Sequence, residues 1–67
     1  ADTKLLIKEM LKLLSKKQRD IIIYKYIYGY SDTELGALLN ISRQAVNRLK
    51  NRAVEAMYEY YINEELI

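Results

Sequence analysis

The segment SRQAVNRLKNR, residues 42–52, is dense in groups that bind through hydrogen bonds and charge. At helical spacing, Val46, Leu49 and Ala53 form one side. Arg43, Gln44, Asn47, Arg48, Lys50 and Asn51 are left on the outside and the flanks. Each of these types has a recognisable chemistry. An arginine can pair bidentately with guanine, an asparagine or glutamine with adenine, and lysine or arginine with phosphate. A merely solvated face usually mixes in carboxylates, yet no acid occurs here before Glu55. Beyond that point the sign reverses, with Glu55, Glu59, Glu64 and Glu65 and no base. Phosphate would repel those acids, so that end is expected to lie away from a duplex.

Positioning such a face needs a helix that begins at a defined place. Ser42 is a candidate N-cap immediately before Arg43. Only eleven residues earlier Ser31 opens another helix, with Glu34 completing a capping box. Between the two, Asn40 tolerates the left-handed conformation that ends a helix. The pattern is a short helix (about 32–39), a tight turn, and a long helix from Arg43 to about Glu64, roughly 33 Å at 1.5 Å per residue. This is the arrangement of a helix-turn-helix over residues 32–51. Leu35, Leu38 and Leu39 form the apolar side of the short helix, and Leu35, Leu39, Ile41, Val46 and Leu49 seal the crossing. Gly36 is expected where the first helix faces the second, since a helix-interior glycine costs about 1 kcal/mol relative to alanine and needs a packing reason. The inner face of the long helix continues through Ala56, Met57 and Tyr60.

Two helices precede this unit. DTKLLIKEMLKLL, capped by Asp2 or Thr3, places Leu6, Ile7, Met10, Leu11 and Leu14 on one face. Ser15 and Gln18 form a second capping box. RDIIIYKYIYG favours strands by propensity, but no second strand-like segment exists to pair with it. It is therefore read as a helix ending at a left-handed Gly29, with Ile22, Ile23, Tyr26 and Ile27 as its buried stripe. With no proline and only two glycines, the fold class is all-α: a small bundle of four to five helices in one domain, residues 1–67.

Composition excludes more than it selects. Apolar residues at 51% and charged residues at 30% suit a folded domain. No cysteine or histidine is present, so disulfides, thiol nucleophiles and ordinary zinc sites are excluded. No converging acid–base pair is visible; the chain reads as no enzyme, with no cofactor and no metal. No apolar run approaches the ~20 residues of a membrane span, and no secretory signal is visible. A cytoplasmic location without a membrane partner is expected. The net charge of +2 hides an asymmetry: seven bases against three acids in residues 1–30, four against six in residues 31–67. Lys16, Lys17 and Arg19 sit together at the start of the second helix, where Lys17 and Arg19 could touch a flanking phosphate. Lys4, Lys8 and Lys12 read as solvating the first.

The stretch LSKKQRDIIIYKYIYGYSDTELGALLNISRQAVNRLKNRAVEAM, about residues 14–57, resembles region 4 of bacterial sigma factors of the sigma-70 class. ISRQAVNRLKNRA is the most specific part. The short link Tyr28–Ser31 resembles the compact alternative or extracytoplasmic-function type. The resemblance implies recognition of a −35 promoter element in double-stranded DNA, with Arg43, Gln44, Asn47 and Arg48 reading bases. Ser42, Lys50 and Asn51 join Lys17 and Arg19 as phosphate contacts. It also implies docking of an apolar groove on the flap of the RNA polymerase β subunit. Gln44 stands where primary sigma factors often carry Glu, and Asn47 where they often carry Arg, so their −35 sequence does not carry over. The part that melts the −10 element has no counterpart in these residues. Small stand-alone helix-turn-helix regulators share the unit, and a protein-interaction domain could use the same scaffold without DNA. Seven tyrosines, three of them at 58, 60 and 61, serve packing or a partner surface. The polymerase flap, an anti-sigma protein and a second copy in a homo-oligomer are the candidate partners.

Overall fold

The computed structural model describes residues 3–66. Four α-helices follow in order: α1 (Thr3–Lys12), α2 (Lys16–Ile22), α3 (Asp32–Leu39) and α4 (Arg43–Leu66). A π-helical segment, Ile23–Ile27, extends α2. Among the described residues there is no strand. The body measures 40 × 19 × 16 Å, its long axis reflecting the 24 residues of α4.

Local chemistry fixes the helix starts. Ser15 Oγ accepts from the Gln18 amide at 3.2 Å while Gln18 Oε1 accepts from the Ser15 amide at 3.0 Å. Ser31 and Glu34 repeat the exchange at 3.1 and 3.0 Å. Ser42 Oγ accepts from the Ala45 amide at 3.0 Å. Each device occupies amides that the first helical turn leaves without partners. The expected cap at Asp2 lies outside the described residues, and Thr3 is itself helical. Asn40 ends α3 in the left-handed conformation at φ 57°, and Gly29 takes φ 79° before α3.

Two buried clusters hold the helices. Ile21, Leu35 and Val46 join α2, α3 and the first half of α4, with Tyr24, Leu39, Ile41 and Leu49 around them. Leu14, Ile22 and Ala53 tie α2 and the end of α1 to the second half of α4, with Leu11, Ala56 and Met57 alongside.

Several expectations need correction. The buried residues of α2 are Ile21 and Ile22; Ile23 is half-buried, while Tyr26 and Ile27 are 59% and 68% exposed. The π segment explains this. Its wider turn changes the angular step between residues, so an α-helical stripe does not continue through it. Leu38, placed on the apolar side of α3, is 51% exposed; Leu35 and Leu39 supply that side. Ile7 is exposed, Met10 carries the inner face of α1, and α1 ends at Lys12 rather than Leu14. Gly36 does have a packing reason, but its neighbour is the turn itself. A Cβ there would lie 2.8 Å from the Ile41 carbonyl oxygen and 3.6 Å from the Arg43 nitrogen. The Gly36 carbonyl also accepts from the Ile41 amide at 2.9 Å.

Candidate nucleic-acid interface

The exposed end of α4 is built by the turn beneath it. Asn40 reverses the chain, Ile41 tucks towards the Ile21–Leu35–Val46 cluster, and Ser42 starts the new helix. Val46 is fully buried, so the residues on the other side of the helix turn outward. Arg43, Gln44, Asn47, Arg48 and Asn51 are all exposed, as is Ser42. Lys50 is half-buried on the flank. The structure thus gathers the expected base-reading residues over two turns of one helix. Lys17 and Arg19 are exposed on a different element, α2. There Arg19 Nη2 donates to the Leu14 carbonyl at 3.4 Å, leaving its other donors for a second acceptor.

An ion pair also lies near this end of α4. Lys25 Nζ, in the π segment, lies 2.7 Å from Asp32 Oδ1 at the start of α3, and each side chain is about a quarter exposed. The Lys25 hydrogen bond holds the Asp32 carboxyl below the usual carboxylate range against the opposing effect of burial, with Lys50 and Arg43 adding to the Lys25 charge. Glu34 is also lowered, chiefly by the bond from the Ser31 backbone. The Lys25–Asp32 pair was not foreseen. Opposite charges seven residues apart on either side of a glycine turn carry no periodic signal; only the folded corner brings them together.

The far half of α4 has different surroundings. An open apolar groove of about 390 Å³ is lined by Met10, Ile22, Tyr26, Val54, Met57, Tyr58 and Tyr61. Burial, with Glu64 and Glu9 nearby, raises the Tyr60 phenol above its ordinary value. Tyr24 packs its ring against Tyr28 and Tyr30, with centroids 5.7 and 5.4 Å apart. The seven tyrosines therefore divide: Tyr24, Tyr28 and Tyr30 cluster, Tyr60 is half-buried, and Tyr26, Tyr58 and Tyr61 border the groove.

Comparison with known proteins decides the family. The family described as "Sigma-70, region 4" matches residues 4–57. The chain belongs to this family. Region 4 is a helix-turn-helix family of transcription, and the fold above is consistent with it. Bacteriocin UviA of Clostridium perfringens is 38% identical over 53 residues, covering 79% of this chain and 29% of the relative. The RNA polymerase sigma factor TcsR of Paraclostridium sordellii is 37% identical over 49 residues, 73% of this chain and 29% of its own length. The RNA polymerase sigma-B factor of Bacillus subtilis is 35% identical over 60 residues, 90% of this chain and 23% of the relative. The region 4 chain thus spans less than a third of each of these proteins. No solved structure matches it. Among the described residues no helix is long and apolar enough to cross a membrane.

Proposed function

We propose that this domain reads a −35-type promoter element in double-stranded DNA through the first half of α4 and docks on RNA polymerase during transcription initiation in the cytoplasm. One observation carries the reading. The exposed face from Arg43 to Asn51 holds two guanidiniums and three carboxamides, has no acid, and begins where the Ser42 cap fixes the helix start. Residues at the start of such a helix enter the major groove first. In this reading Arg43, Gln44, Asn47 and Arg48 meet base edges, while Ser42, Lys50 and Asn51 meet phosphate. Lys17 and Arg19 serve a flanking phosphate.

The polymerase contact falls to the apolar groove beside Val54, Met57 and Tyr61, a surface suited to an apolar segment of the β-subunit flap. DNA and polymerase then occupy different halves of α4.

Titration of a promoter duplex from low to physiological salt tests the DNA reading. Affinity should fall steeply, with a log–log slope of several released counterions. No binding at low salt would leave the protein-interaction reading in its place. Val54→Asp should abolish flap binding while DNA affinity stays unchanged.

A further inference from the structure

Lys12–Glu9 and Lys16–Asp20 are ion pairs within single helices, at 3.3 and 3.4 Å. Lys25–Asp32 differs: it is shorter, about three-quarters buried, and joins the π segment to the first residue of α3. Its corner is braced. The Tyr30 amide donates to the Tyr24 carbonyl at 3.0 Å, and the Tyr24 ring packs on Tyr28 and Tyr30.

Asp32 lies on the side of α3 that faces the reading helix. It stands one turn before Leu35 on the same face, and Leu35 packs with Val46. Arg43 and Lys50 flank Val46 one turn to either side along α4. The carboxylate accordingly sits in the field of both cations. Left unneutralised, it would compete with DNA for them and repel an approaching phosphate. Its hydrogen-bonding partner is instead Lys25, carried by the π segment rather than by α4.

We propose that Lys25 is a positioning residue for DNA binding: from the π segment it engages and neutralises Asp32, leaving Arg43 and Lys50 available to DNA. Lys25 itself touches no base or phosphate. The π segment, which carries Lys25, is part of the device.

The inference rests on the DNA reading above, and one experiment separates their failures. Wild type, Lys25→Met, Asp32→Asn and the double variant of the 67-residue chain are titrated against a −35 duplex and a scrambled duplex at low salt, with thermal melts alongside. Lys25→Met should weaken binding to both duplexes about threefold to tenfold, the size of effect for one uncompensated charge near a partly screened site. Asp32→Asn should bind at least as tightly as wild type. The double variant should recover what Lys25→Met lost. A pair that only braced the fold would give weaker binding in both single variants and no recovery, and that result overturns the inference. Lys25→Gln replaces Lys25→Met should the latter fail to fold, and weaker binding by Asp32→Asn alone is sufficient to refute it. If wild type does not bind DNA at low salt, both readings fall; if wild type binds and the double variant does not recover, only this one does.

Discussion

The two halves of α4 are one continuous helix with opposite surfaces. From Arg43 to Arg52 it carries four bases and no acid; from Ala53 to Glu64 it carries acids and no base. The first half rests on Ile21 and Leu35 through Val46, the second on Leu14 and Ile22 through Ala53. The first presents exposed polar side chains, while the second borders an apolar groove. Each half of the helix thus has its own support and its own charge, as the proposed pair of neighbours, DNA and polymerase, would require. In the proposed reading, a phosphate surface would be attracted by the first half and repelled by the second, which would set the direction of approach.

That comparison breaks most sharply in the core. Leu35→Ala should cost about 2–5 kcal/mol by leaving a cavity under the reading half, whereas exposed Leu38→Ala should stay within about 0.5 kcal/mol. Thermal or urea melts measure both, and equal losses would mean that the first half of α4 is not supported as described. Next come the readers. Arg43→Ala or Gln44→Ala should remove about 1–3 kcal/mol of preference for the right base at one position, while Lys50→Ala weakens all sequences alike. Competition binding with single-base variants of the duplex measures this; uniform loss for all three would remove the distinction between readers and phosphate contacts.

A smaller effect is expected at the helix start. Ser42→Ala should cost about 1 kcal/mol through the lost cap, and fraying should appear in amide exchange at the first turn of α4 but not near Tyr60. The pH dependence should be the smallest effect and should be confined to acid. Asp32 is lowered from an ordinary 3.8, chiefly by its bond to Lys25. A depressed carboxyl contributes its stability above the unfolded value and loses it as pH falls through the folded one. Asp32→Asn should therefore flatten the melting-temperature curve below about pH 4 and leave it parallel to wild type between pH 5 and 7. A difference in slope at neutral pH would point to another group.

Local devices were legible because they close within three or four residues. The boxes at Ser15 and Ser31, the Ser42 cap, the left-handed Asn40 and the positive φ of Gly29 depend on neighbours in the chain, and all are present. The outward set on α4 was legible for a related reason: once Val46 and Ala53 point inward, helical geometry exposes Gln44, Asn47 and Asn51. The stripe expected on Ile22, Ile23, Tyr26 and Ile27 failed because it assumed an α-helical step through a segment that forms a π turn. The same stripe left out Ile21, which is fully buried, and included Ile27, which is mostly exposed.

The sequence by itself determined where α2, α3 and α4 begin, where α3 ends, the class of fold, and which polar side chains lie exposed at the start of α4. These follow from short-range hydrogen bonding and from the pitch of a helix, which are nearly independent of the rest of the molecule. Only the tertiary structure decided which isoleucines are buried, that Gly36 yields to the Ile41 carbonyl, that Lys25 meets Asp32, and that Tyr26 joins Val54 and Tyr61 around one groove. Those outcomes depend on how segments far apart in the chain share limited space, and no single segment carries that information.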